Sequence, residues 1–139
     1  MSKGHRLISW SLQLVAAFIL GQTLFFKFTG AEESRALFET LGAEPWGRFA
    51  SGGVEAIAVV LLLWPRRAAL GGLLGMGVMA GAILSHLTML GIEVGGDGGL
   101  LFTMALVTFA ASAGVVWLRR CELPIVGACS RKDVSLSSD

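Results

Sequence analysis

The sequence predicts an all-α protein, a membrane four-helix bundle with a short amphipathic helix in its first outer loop. Of 139 residues, 54% are hydrophobic and only 15% charged, with mean hydropathy +0.71; an ordinary soluble domain carries about 25% charge. Four apolar stretches recur, Leu7 to Phe26, Phe49 to Trp64, Ala68 to Leu90 and Leu100 to Leu118. Crossing the hydrocarbon takes roughly 17 to 25 helical residues. The first, third and fourth stretches meet that alone, and the second borrows Trp46 and Gly47. Expected helices therefore cover about 7–27, 47–64, 68–90 and 100–118 within a single domain, 1–120, followed by a tail, 121–139.

Charge placement orients the chain. Lys3, Arg6, Arg66, Arg67, Arg119, Arg120, Arg131 and Lys132 share one side of a four-helix topology, and Lys27, Arg35 and Arg48 fall on the other. By the positive-inside rule both termini lie in the cytoplasm, as expected of a multi-pass protein of the inner (plasma) membrane, with loops 28–48 and 91–99 outside. A net charge of +1 gives no reason to invoke nucleic acid. Lys3, Arg6 and Thr29-Gly30-Ala31 loosely imitate a signal peptide, but the first apolar run exceeds the roughly 7 to 15 residues of a signal core.

The first loop, TGAEESRALFETLGAEPWGR, contains a helix signal from Ala31 to Leu41. Glu32 and Glu33 suit its first turn, and Gly42 suits its C-terminal cap. Leu37, Phe38 and Leu41 form one apolar face, predicting that this helix lies on the outer membrane surface. Pro45 breaks the chain, and Trp46 is placed as an interfacial anchor. Trp64-Pro65-Arg66-Arg67 is a tight turn that makes the second and third helices antiparallel neighbours. The third helix carries Gly77, Gly81 and Ser85 at four-residue spacing, after Gly71 and Gly75; such rows let helix backbones approach in lipid, within the bundle or between two copies of the chain. The loop GIEVGGDGG has no preceding strand and is no phosphate cradle. Cys121 and Cys129 follow the last helix on the cytoplasmic side, where thiols stay reduced, and their spacing is no metal motif.

Polar residues at membrane depth are costly and mark function by default. Lys27 ends the first helix and Gln22 lies about one and a half turns below it. Glu55 lies roughly 9 Å along the second helix from Phe49 at 1.5 Å per residue. His86 is about one turn from the outer end of the third helix, and Asp97 sits in the outer loop. All converge on the outer third of the membrane. Glu55 shares a face with Ser51, Gly52 and Val59, and His86 with Gly75, Met79 and Ala82, so both are expected to point inward. A Lys27–Glu55 pair offsets the cost of burying either charge, with His86 completing the network around one cavity. The alternative is that the set fixes helix register alone; Gln13 reads as a plain interhelical hydrogen bond.

At these residues the chain resembles the DoxX-like family of small membrane proteins. The matching pieces are FFKFTG at 25–30, LGAEPW at 41–46, SGGVEAIAVVLLLWP at 51–65 and RAALGGLLGMGVMAGAILSHL at 67–87. The resemblance spans roughly residues 10 to 118 and marks Lys27, Gly52, Glu55, Pro65 and His86. Where many members end in a Gly-rich segment and an acid near the last helix, this chain has VVWLRRCELP. The resemblance implies a four-helix bundle and an association with quinone-linked oxidation or membrane redox defence; distant relatives act as assembly chaperones.

Two function classes follow. One is a quinone- or lipid-binding accessory subunit of a membrane redox system, working with a protein partner. Haem would want axial ligands, and the other histidine, His5, lies at the opposite face. No flavin, iron–sulfur or metal motif is present, so electrons would need a partner to carry them. The other class is a non-catalytic assembly factor or partner-stabilising protein, contacting its partner through the glycine-rich helix and the outer amphipathic helix. A transporter is disfavoured, since the sequence has no inverted repeat and no broken helix.

Overall fold

The computed structural model describes residues 3–44, 46–93 and 98–120, and every regular element in them is helical. Helix α1 is Lys3–Thr29, α2 is Glu32–Thr40, α3 is Trp46–Leu62, α4 is Ala68–Ser85 and α5 is Leu100–Leu118. Helix α4 runs on into a π-helical turn, His86–Leu90, where an unbroken α-helix was expected. Asp97, Cys121 and Cys129 lie outside the described residues, as does Pro45.

Among the described residues, α1, α5 and the 23-residue segment Ala68–Leu90 are long and apolar enough to cross a membrane, the pattern of a multi-pass membrane protein. Only 28 to 33% of each span is buried inside the protein, so most apolar side chains, including Leu7, Phe18, Leu84 and Trp117, point outward. A surface so broadly apolar suits lipid rather than water. Helix α3 has 17 residues, at the lower limit of a membrane span. It ends at Leu62 rather than at residue 64 because the chain tightens there. Trp64 N–H donates to the Leu61 carbonyl at 3.1 Å, and Arg67 N–H to the Trp64 carbonyl at 3.0 Å.

Helix α1 packs on α3 and α5, and α4 packs on the same two. Ala16, Leu20, Ala58, Leu62, Ala68 and Val115 form the core. Close approach depends on glycine, at the Gly71 and Gly75 end of the expected row and not at Gly77 and Gly81. A Cβ on Gly71 would lie 2.5 Å from the Leu62 nitrogen and 2.9 Å from the Ala58 carbonyl oxygen, so α4 can touch α3 there only without a side chain. Gly72 and Gly75 play the same part against Ser112 of α5. Gly77 and Gly81 have nothing within 4 Å of a Cβ position and are exposed. The contact row therefore sits one to two turns earlier in α4, and the helices diverge beyond it.

The end of the molecule holding the α3–α4 turn is tied by a buried polar knot. Ser9 donates to Gln13 Oε1 at 2.8 Å, and Gln13 Nε2 donates to the Leu62 carbonyl at 2.6 Å. Arg119 Nε donates to Ser9 Oγ and its NH1 to the Pro65 carbonyl, both at 2.7 Å. The knot joins α1, the turn and the end of α5. Gln13 makes the interhelical bond expected of it; Arg119, which the sequence marks only as a charge on the inner side, and Ser9 complete the knot.

At the other end, α2 packs against α1, α3 and the π-helical turn. Its apolar face turns inward: Leu37, Phe38 and Leu41 line a cavity, and Phe38 is buried. The expectation that this face rests on the membrane is thus corrected. The C-terminal stop is as read: Gly42 has φ +70° and donates to the Glu39 carbonyl at 3.0 Å, while Ala43 N–H reaches back to the Phe38 carbonyl at 2.8 Å. A left-handed residue after the last turn is the usual way to satisfy those carbonyls.

Candidate functional site

The cavity beneath α2 has a volume of about 700 Å³, within the roughly 300–1,000 Å³ range of small-molecule sites. Its walls come from all five helices and are mainly apolar, with Leu20, Phe26, Val54, Met79, Leu101 and Met104 among them. Polar groups gather in one place. Lys27 Nζ donates to Glu55 Oε1 at 2.5 Å, and Thr23 Oγ1 donates to Glu55 Oε2 at 3.1 Å. Both carboxylate oxygens are therefore engaged, which is what permits Glu55 to be 1% exposed. The Lys27 side chain is 15% exposed, lines the cavity and lies 5.6 Å from the Phe38 ring centroid.

Local sequence explains this placement. Gly52, one turn before Glu55, is buried and faces the Phe28 ring of α1. Thr23 and Lys27 are four apart on α1 and share a face. Gln22 is five positions from Lys27, about 140° around the helix at 3.6 residues per turn, and is exposed. The structure thus replaces Gln22 by Thr23. The i, i+4 relation to Lys27 was the signal available in the sequence.

His86 is 4% exposed, so it points inward as expected, but it is not part of the Glu55 network and does not line the cavity. Its Nδ1 lies 2.9 Å from the Gly91 carbonyl oxygen, and its ring meets Phe102 edge-on at 5.6 Å between centroids. The ring closes the π-helical turn onto the chain that follows and props it against α5. The shared Glu55–His86 cavity is therefore not found: Met79, Ala82, Ser85 and Leu90 present the His86 segment to the cavity instead. In the polar set, Lys27 and Glu55 come together, while His86 and Gln22 stand apart.

Arg48 was read only as an outer charge, yet it is 5% exposed. Its Nε donates to both oxygens of Glu44 at 3.0 Å, and a second nitrogen donates to the Lys27 carbonyl. The guanidinium also lies 4.5 Å from the Phe49 ring centroid. Arg48 satisfies one of the open carbonyls at the end of α1 and holds the backbone that carries Lys27. The Glu44-to-Arg48 spacing of four was its sequence signal. Among the described residues no three His, Cys, Asp or Glu side chains gather in a metal-binding group.

The arrangement is chemically simple. An ammonium has three donors; Glu55 takes one from Lys27, leaving two for acceptor atoms at the polar end of an apolar chamber. The pair is neutral as a unit, so a neutral acceptor can enter without leaving an unbalanced charge at low dielectric.

No protein-family model matches the chain, and no curated protein and no solved structure matches it.

Proposed function

We propose that this protein binds a membrane-dissolved amphiphile with a neutral carbonyl head, a quinone in the first instance, as an accessory subunit of a membrane redox system. The observation that carries this reading is the Lys27–Glu55 pair at the polar end of the apolar cavity. Lys27 would hydrogen-bond the head group's carbonyl oxygen, Glu55 and Thr23 would fix the ammonium, and the apolar walls would take the tail. A phospholipid head would bring its own charge to an already neutral pair, which favours the quinone among amphiphiles. When bound, a quinone supplies reversible two-electron, two-proton chemistry; this chain's residues orient it and keep bulk water from it. Electrons would come from a partner protein.

The reading places the chain as a DoxX-like four-helix bundle, with α3 as the fourth crossing, in the inner (plasma) membrane and with both termini cytoplasmic. Support comes from the FFKFTG and SGGVEAIAVVLLLWP segments, which hold Lys27 and Glu55, and from basic residues gathered at the knotted end. The α2 end and its cavity then lie in the outer half of the membrane.

A long-tailed benzoquinone carrying a photoreactive group on its ring tests this in vesicles containing the full chain. Adducts are expected beside Lys27, at Thr23, Phe38 and Leu41, and are expected to vanish in the Lys27→Met, Glu55→Met double variant. Labelling confined to outward residues such as Phe18 and Leu84 would refute the site.

A further inference from the structure

The cavity lies under α2, with Lys27 beside Phe38 at that end. Its lining includes five exposed residues, Phe26 of α1 and, from two neighbouring helices, Ala50 and Val54 of α3 and Gly77 and Gly81 of α4. These helices touch backbone to backbone at Gly71, beside Leu62 and Ala58. They then diverge, and at Gly77 and Gly81 a Cβ would meet no atom within 4 Å. Over the top, α2 lays Leu37, Phe38 and Leu41 across the chamber. Both Gly77 and Gly81 belong to a segment long and apolar enough to cross a membrane, so the gap opens sideways, at hydrocarbon depth.

We propose that the gap between α3 and α4, lined by Ala50, Val54, Gly77 and Gly81, is a lateral opening through which an acyl or isoprenoid chain passes from the bilayer into the cavity. This rests on the amphiphile-binding reading and adds the route and the ligand's source. The glycines act here by leaving space. A ligand drawn from the bilayer slides its tail between the helices while its head travels at the depth of Lys27. The α2 residues laid across the chamber and its mainly apolar lining favour a ligand drawn from the bilayer over a water-soluble carbonyl compound.

The vacancy at Gly77 and Gly81 suits the test, because a Cβ there meets no atom within 4 Å and the substitution removes a helix-weakening glycine. The full chain is reconstituted in phosphatidylcholine vesicles whose acyl chains carry a diazirine, and adducts are mapped by mass spectrometry. Wild-type protein is expected to give adducts on the cavity residues Val78, Met79 and Ala82 as well as on outward Leu73 and Leu84. Gly77→Phe and Gly81→Phe are expected to lose the cavity adducts and keep the outward ones, and Gly81→Ala to keep both. Cavity adducts that persist in both phenylalanine variants overturn the lateral opening and move the route to α2. Their absence from wild type overturns it too. In the same vesicles, long-tailed benzoquinone should suppress the wild-type cavity adducts. Failure of that arm alone overturns the choice of quinone and leaves the opening standing.

Discussion

Lys27 and Glu55, 28 residues apart in the chain, join α1 to α3 by a charged hydrogen bond of 2.5 Å between a side chain that lines the cavity and one that is almost wholly buried. The two charges exist at that depth because each has the other. Removing either partner should cost about 3 to 5 kcal/mol, and removing both should cost far less. Thermal unfolding of Lys27→Met, Glu55→Met and the double variant in detergent checks this. A double variant whose loss equals the sum of the singles would show that the pair contributes no coupling.

Glu55→Gln keeps the shape and an oxygen for the Thr23 hydroxyl, but leaves Lys27 as a net positive charge. The uncompensated charge on Lys27 should lower folded yield, so the ligand comparison is made on the folded fraction. Selectivity should move from a neutral benzoquinone toward an anionic amphiphile such as a fatty acid. Competition between these two ligands in vesicles reads the change directly, and unchanged selectivity would separate the ligand from Lys27.

Thr23 and Gln22 offer a neighbouring contrast. Thr23→Val removes the hydroxyl on Glu55 Oε2 and should cost about 1 kcal/mol. Gln22→Ala, on the exposed face, should move stability by no more than about 0.5 kcal/mol. Equal effects from the two would contradict the geometry of α1.

Ser112 Oγ is buried with no hydrogen-bond partner among the described residues, and a Cβ on Gly75 would fall 2.7 Å from it. Ser112→Ala removes an unsatisfied polar atom and should be neutral or stabilising, by about 1 kcal/mol at most. A clear loss of melting temperature would reveal a hydrogen bond formed in the membrane.

Much of this molecule was legible from periodicity and depth. The long apolar runs gave the helices, and the positions of Lys27 and Glu55 near one end gave their pairing, because two buried opposite charges at matched depth have few other partners. What sequence could not supply was rotation about each helix axis. Gln22 and Thr23 differ by one position yet point about 100° apart on the helix, and the row Gly77-Gly81-Ser85 reads as a packing seam when only spacing is seen. His86 was correctly placed inside but wrongly partnered, because the π-helical turn that aims it at Gly91 leaves no mark in residue spacing. The inward turn of Leu37, Phe38 and Leu41 depended on a cavity that no single helix encodes.

The knot of Ser9, Gln13, Arg119 and the Leu62 and Pro65 carbonyls has a mechanical consequence. It clamps three segments at one end, while at the other α3 and α4 stand apart over a void. The molecule is therefore built like a peg with a stiff spring and compliant jaws. Thermal motion should concentrate at the jaws, widening and narrowing the gap while the hinge stays shut. Amide hydrogen exchange should then be slow around Gln13, Leu62 and Val115 and faster around Ala50, Gly81 and Leu90. Arg119→Met should raise exchange at the hinge first, turning one-ended breathing into a loosening of the whole frame.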